Sequence, residues 1–125
     1  MENSNDFNFK DLHVWQRAVE FAKTVIDTIE NNSSERKHFR LLEQVESSAT
    51  SIALNIAEGK GRHSKKEFVH FLYIARGSLF ETVTMLNIFH RKQWIDKSDL
   101  ETLESEGLQL VKMLNALISS IKKSL

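Results

Sequence analysis

The sequence predicts an all-α protein, an antiparallel up-down-up-down four-helix bundle. Apolar residues recur three and four positions apart in four separate stretches, which is the spacing of an amphipathic helix. Proline is absent and only four glycines occur, so long helices can run without a break. The connections between the stretches are short, which forces neighbouring helices to lie antiparallel. The 125 residues are therefore predicted to form one domain, 1–125, with 1–8 as a flexible N-terminal tail.

The first two helices are predicted from one apolar stripe each. The first stripe consists of Leu12, Trp15, Val19, Ala22, Ile26 and Ile29. The second consists of Leu42, Val45, Ala49, Ile52 and Ile56. A connection near 31–34 separates them, where Ser33 or Ser34 can cap the second helix.

The last two helices follow the same spacing. The third stripe consists of Phe68, Leu72, Ala75, Leu79, Val83 and Leu86. The fourth consists of Leu100, Leu103, Leu110, Leu114, Leu117 and Ile121, with Gly107 at a position where an apolar side chain is expected. Ser64 with Glu67, and Ser98 with Glu101, have the spacing of a capping box. Trp94, in the connection near 91–97, is expected to fold over the end of the bundle.

The second connection, near 59–63, is predicted to be a structural turn built on Asn55, Glu58, Gly59 and Gly61. Glycine is the usual residue where a helix ends in a left-handed turn. Glu58 is expected to satisfy backbone N–H groups at the start of the third helix, a favourable position for negative charge. A ligand-binding role for Asn55 and Glu58 is the alternative.

The third helix has more apolar surface than one bundle face needs. Outside the core stripe it carries Phe71, Ile74, Met85 and Ile88. A helix that is apolar on two sides is buried on two sides, so these residues are predicted to form an interface between copies of the chain. The alternative is a bundle core that is simply wide.

Several classes of function find no support in the sequence. Cysteine is absent, which removes disulfides and thiolate sites, and no stretch approaches the roughly 18 apolar residues of a membrane span. Glu35 with His38 and Glu67 with His70 resemble the spacing of di-iron bundles, but antiparallel helices place the pairs at opposite ends. We expect no catalytic residues, no metal, no cofactor and no membrane contact, and a cytoplasmic protein.

Basic residues gather at both ends of the predicted bundle although the net charge is zero. Lys60, Arg62, Lys65 and Lys66 surround the second connection, at the same end as Lys122 and Lys123. Arg36, Lys37 and Arg40 lie at the other end. Basic clusters bind phosphates, so these two groups, without Lys122 and Lys123, are the candidate nucleic-acid contacts. An ordinary solvated surface is the alternative.

Motifs along nearly the whole chain, from about Phe9 to Lys122, resemble one family. They are Phe9-Lys10-Asp11-Leu12, Val14-Trp15, Gln44, Asn55-Ile56-Ala57-Glu58-Gly59, Gly61-Arg62, Glu67-Phe68, Phe71-Leu72, Ala75, Gly77-Ser78-Leu79, Glu81 and Leu114-Asn115-Ala116-Leu117-Ile118. The chain is similar to the small bacterial four-helix-bundle proteins encoded by intervening sequences of 23S rRNA genes. That family includes the accessory protein of diversity-generating retroelements, a pentamer that works with a reverse transcriptase and nucleic acid.

The resemblance implies a ring-like homo-oligomer, a pentamer, without catalytic activity and with a link to RNA. The sequence departs from the family pattern at two places. Glu46 and Ser47 stand where family members commonly have two arginines, which removes basic charge from the second helix, and Ala53-Leu54 replaces a proline and a small residue. A binding module for RNA or a ribonucleoprotein partner is the leading hypothesis, and a protein-interaction scaffold without nucleic acid is its alternative.

Overall fold

The computed structural model describes residues 7–32 and 38–125. A short 3-10 helix, Asn8–Asp11, precedes four α-helices: α1 (His13–Asn32), α2 (Phe39–Lys60), α3 (Lys65–Arg91) and α4 (Lys97–Lys122). No strand occurs in this part of the chain. The four predicted helices and the all-α class are confirmed. Of the predicted tail, residues 1–6 lie outside the described residues and Asn8 begins the 3-10 helix.

Each helix packs against two others. Within the described ranges, α1 and α3 each contact α2 and α4, and no Cα atoms of α1 and α3, or of α2 and α4, lie within 8 Å of each other. Ser48 shares a hydrogen bond with Thr82 and Ser51 shares one with Ser78, so α2 and α3 run in opposite directions. This arrangement encloses one core along the middle of the bundle.

The core follows the predicted stripes in α2, α3 and α4. In α1 the prediction was wrong for most positions, because the helix is rotated so that its buried residues are Val14, Ala18, Phe21, Ala22, Val25 and Ile29, whereas Val19 is 38% exposed. Side chains that are large and fully enclosed come from all four helices: Phe21, Val25, Val45, Ile52, Ile56, Leu72, Leu79, Leu86, Phe89, Leu103, Leu110 and Leu114. Burial of such residues contributes about 1.5–3 kcal/mol each. Gly107 is buried at its place in the α4 stripe, where a Cβ would lie 3.4 Å from Cγ2 of Val83, an ordinary van der Waals contact.

One of the predicted helix caps is present and one is displaced. The Ser64 hydroxyl accepts a hydrogen bond from the backbone N–H of Glu67 at 3.0 Å, as predicted for the start of α3. At α4 the cap is Asp96, whose carboxylate accepts from the N–H of Asp99 at 2.7 Å. Ser98 therefore lies inside the helix, because the carboxylate two residues earlier already satisfies the first free N–H groups. Ser33 and Ser34 lie outside the described residues.

The turn after α2 differs from the prediction. Gly61 follows the last residue of α2 with φ −80° and ψ −5°, and no described glycine has a positive φ, so the helix does not end in a left-handed turn. Gly59 is still inside α2 and buried, and a Cβ on it would lie 2.7 Å from the Phe71 Cβ. Close approach of α3, not backbone freedom, is what requires glycine at 59.

Trp94 closes one end of the bundle, as predicted. It is 7% exposed, its ring stacks on His38 at 4.1 Å between centroids and lies 5.1 Å from that of Phe89. Gln93 before it has a φ of 64°, which turns the chain sharply enough to bring the indole back over the core.

Candidate nucleic-acid interface

The α2–α3 turn brings four predicted cationic residues together. Lys60 ends α2, Arg62 lies in the turn, and Lys65 and Lys66 begin α3. Arg62, Lys65 and Lys66 are exposed and Lys60 is half-buried. Since only four residues separate the two helices, the charges cannot move apart, and they form one basic end of the bundle.

Arg62 is the least available of these cations. Its guanidinium donates to Oε2 of Glu58 at 2.7 Å and lies over the Phe71 ring, 4.7 Å from the centroid. Glu58 therefore neutralises Arg62, one turn away, and is not the N–H acceptor for α3 that the sequence predicts. The ammonium of Lys60 lies 6.0 Å from the Phe68 ring centroid, without an ion pair among the described residues.

The C-terminal part of α4 reaches the same end. Nζ of Lys65 donates to Oγ of Ser124 at 3.1 Å, which places Lys122 and Lys123 beside the turn, as expected from chain direction. The basic end therefore consists of Lys60, Lys65, Lys66, Lys122 and Lys123; Arg62 lies beside it but does not belong to it, because Glu58 already neutralises its charge.

A second basic feature adjoins this end and was missed by sequence reasoning. Arg76 lies over the ring of Tyr73, 4.9 Å from the centroid, and Lys122 lies 5.7 Å from the same centroid. Nζ of Lys122 donates to the Tyr73 hydroxyl at 3.2 Å, and Arg76 donates to Oδ1 of Asn115 at 2.7 Å. Sequence reasoning assigned no binding role to Tyr73 or Arg76, because only the pairing of α3 with α4 brings these side chains together.

These residues border an open groove between α3 and α4, of about 430 Å³. Its lining, the α3–α4 basic groove, consists of Tyr73, Arg76, Asn115, Ile118, Ser119, Lys122 and Lys123. No carboxylate belongs to this lining.

Arg40, the one described member of the second predicted basic group, lies at the other end of the bundle, as expected. Arg40 is exposed at the second position of α2, roughly 30 Å along the helix from Lys60 at 1.5 Å per residue. Arg36 and Lys37 lie outside the described residues.

The predicted oligomer interface is only partly on the surface. Ile74 and Ile88 are 39% and 50% exposed, whereas Met85 is 7% exposed. Phe71 is half-buried beneath Arg62. Met85 faces the core of its own chain and offers almost no surface to a second copy, contrary to the expectation, because α3 turns that side chain inward with Leu86 and Phe89.

Two apolar grooves, which sequence reasoning also missed, lie on opposite sides of the bundle. The α1–α2 groove measures about 410 Å³ and is lined by Phe9, Trp15, Val19, Ala22, Thr50, Ala53, Leu54 and Ala57. The α3–α4 apolar groove measures about 520 Å³ and is lined by Leu79, Phe80, Val83, Thr84, Glu104, Gly107, Leu108 and Val111. Leu54, Phe80 and Leu108 are 66%, 53% and 56% exposed.

The remaining polar candidates have local partners. Asn55 donates from Nδ2 to the carbonyl and hydroxyl oxygens of Ser51, at 2.8 and 2.9 Å, so its amide is bonded one turn back within α2 and not to the residues of the turn. Within residues 7–32 and 38–125 no three histidine or carboxylate side chains gather closely enough to hold a metal ion. Glu67 and His70 are both exposed, and Glu35 lies outside the described residues.

Comparison with known proteins identifies the group to which this bundle belongs. Residues 10–116 match the family described as 23S rRNA-intervening sequence protein. The chain belongs to this family. The family match spans α1, α2 and α3 and most of α4, so it includes the α2–α3 turn and both apolar grooves apart from Phe9.

A solved structure has the same fold. It is the crystal structure, at 1.70 Å resolution, of a protein of unknown function from the S23 ribosomal protein family of Bacteroides thetaiotaomicron. The two chains superpose with a TM-score of 0.78 and 28% sequence identity, over 84% of this chain and 97% of the other. No curated protein matches the chain. In the present chain, none of the described helices is both long and apolar enough to span a bilayer.

Proposed function

We propose that this protein is a non-catalytic, homo-oligomeric bundle that acts in the cytoplasm and binds RNA or a ribonucleoprotein partner through its basic end. The observation that carries the proposal is the gathering of Lys60, Lys65 and Lys66 with Lys122 and Lys123 around one turn, with Lys65 hydrogen-bonded to Ser124. Phosphate backbones are bound by such clusters without any need for sequence recognition. Membership of a family described by 23S rRNA intervening sequences supports RNA as the ligand.

The two apolar grooves support assembly of several copies. They differ in lining and lie on opposite sides, one between α1 and α2 and one between α3 and α4. Contact between two different surfaces is heterologous, and it closes into a ring when the rotation between neighbours allows it. A ring of five, the number that the family resemblance implies, would repeat the basic end five times around one axis and so strengthen the attraction for a polyanion.

The experiment is a titration of single-stranded RNA across a salt series, with the assembled protein. We expect the logarithm of affinity to fall linearly with the logarithm of salt, by about 0.7 per phosphate contacted. The triple variant Lys60→Gln, Lys65→Gln, Lys66→Gln should flatten that slope. Lys23→Gln, Lys97→Gln, Lys112→Gln removes equal charge outside the basic end and should flatten it less. Absence of binding at low salt, or affinity independent of salt, would contradict the proposal.

A protein-interaction scaffold without nucleic acid is the second candidate. It is favoured by the zero net charge, by Glu46 on α2, and by the same grooves, each of which could seat an apolar helix of another protein. Purification of the native protein with and without nuclease distinguishes the two, because a partner bound through RNA is lost on nuclease treatment and a partner seated in a groove is retained.

A further inference from the structure

We propose that Tyr73, Arg76 and Lys122, in the α3–α4 basic groove, form a phosphate-binding subsite. The inference deepens the proposed function, on which it rests for the source of the phosphate, namely the backbone of bound RNA. The subsite lies beside the basic end and shares Lys122 and Lys123 with it.

Arg76 carries a positive charge that no described residue neutralises. Its side chain is half-buried, with the guanidinium held in place by Oδ1 of Asn115 at 2.7 Å and by the Tyr73 ring at 4.9 Å. No carboxylate among the described residues forms an ion pair with it. A partly desolvated cation gains most from an anion that reaches it, and a bound phosphate would supply the anion that no described residue supplies.

The hydrogen bonds that Tyr73 and Asn115 accept leave donors free in the groove. The Tyr73 oxygen accepts from Nζ of Lys122 at 3.2 Å, which leaves its own proton free to donate. Asn115 accepts through Oδ1, which leaves its NH₂ group free. With Ser119 and Lys123 also in the lining, the groove presents several donors and no carboxylate. A ligand that offers several acceptor oxygens and negative charge, as a phosphate does, matches this set.

Arg62 is a natural control for Arg76. Both guanidinium groups lie over an aromatic ring, at 4.7 and 4.9 Å, and both lie on the same half of the bundle. Arg62 is already neutralised by Glu58 at 2.7 Å, whereas Arg76 is bonded to a neutral amide. The subsite predicts that only Arg76 contributes strongly to phosphate binding.

The experiment uses Tyr73 as the reporter, because it is the single tyrosine of the chain. Full-length protein labelled with 3-fluorotyrosine gives one ¹⁹F resonance, which is followed during titration with inorganic pyrophosphate and, separately, with a single-stranded RNA oligonucleotide. We expect both probes to shift this resonance. Arg76→Gln and, separately, Lys122→Gln should suppress the shift and weaken RNA binding about tenfold, the effect of one charged hydrogen bond. Arg62→Gln should change the affinity less than about twofold.

The outcomes separate this subsite from the proposed function. RNA binding without a shift of the Tyr73 resonance, or equal effects of Arg76→Gln and Arg62→Gln, overturns the subsite and leaves the RNA-binding proposal in place. A pyrophosphate shift without RNA binding supports the phosphate subsite and overturns the proposed function. No shift of the resonance with either probe, together with no RNA binding, overturns both. Circular dichroism of each variant, and the exposed position of Lys122 on the last turn of α4, guard against loss of folding as the cause.

Discussion

Gly59 lies against Phe71, and a Cβ placed on Gly59 would be 2.7 Å from the Phe71 Cβ and 2.9 Å from Cδ1 of Phe68. The contact joins the last turn of α2 to the first turns of α3, so it decides how closely the two helices approach beside the basic end. The Phe71 Cβ is next to the backbone and cannot rotate away. Relief of the clash therefore requires a shift of one helix.

Replacement of Gly59 by alanine is predicted to destabilise the bundle. Because the Phe71 Cβ cannot move away, the cost is expected in the upper part of the range of about 1–3 kcal/mol for overpacking, which exceeds the gain in helix propensity of about 1 kcal/mol. Gly77→Ala is the matched control, since Gly77 lies inside α3 and a Cβ there would meet nothing within 4 Å. Urea unfolding should show Gly77→Ala to be more stable than the parent by about 0.8 kcal/mol. Equal stability of the two variants would contradict the packing argument.

Asp96, rather than Ser98, is predicted to stabilise the start of α4. Asp96→Ala removes the acceptor of the Asp99 N–H and should lower the free energy of unfolding by about 1 kcal/mol. Ser98→Ala should change it by less than about 0.5 kcal/mol, as for other surface positions. Thermal or urea unfolding of both variants checks this, and a larger loss for Ser98→Ala would restore the capping box expected from the sequence.

The hydroxyls of Ser48 and Thr82 form a buried pair between α2 and α3, with 2.8 Å between the oxygens. Ser48→Ala and Thr82→Val should each cost about 1–2 kcal/mol, because each leaves a buried partner with one bond fewer. The double variant should cost less than the two losses added together, since it removes both members of the pair. If the losses in the free energy of unfolding are additive in this double-mutant cycle, the two hydroxyls do not stabilise each other.

Leu54 of one copy and Leu108 of a neighbouring copy are predicted to face each other in a heterologous interface. Leu54→Glu alters the α1–α2 groove and Leu108→Glu the α3–α4 apolar groove, and each variant should dissociate to monomers that remain helical. Mixing the two should yield dimers, because each partner retains one intact groove. Mass measurement in solution by light scattering checks this.

Leu125→Glu is the control for these variants, since Leu125 is as exposed as Leu54, at 66%, but lines neither groove. It should leave the assembly intact. Monomers in the mixture, or full-size assemblies for each single variant, would place the interface elsewhere, for instance on the Ile74 and Ile88 face.

Helix number, helix order and most of the core were predictable because each depends on spacing along one segment. Apolar side chains three and four apart must share a face, so Ile29, Ile52 and Leu79 could be assigned to the core without coordinates. Ser64 as a cap was predictable for the same reason, because its acceptor and the Glu67 N–H are neighbours in the chain. The prediction for Ser98 was wrong because Asp96, two residues earlier, can also cap the helix and is the residue that does so.

What the tertiary structure alone decided is how residues from different helices meet. Within α3, the Arg76 guanidinium lies over the ring of Tyr73. The groove that gives this charge a role is completed by Asn115 and Lys122 of α4. Similarly, Met85 and Ile88 belong to one apolar run, yet α3 buries the first and exposes the second. Local spacing determines which face a side chain shares, whereas its accessibility and its ionic partners depend on the rotation of each helix against the next, which no single segment encodes.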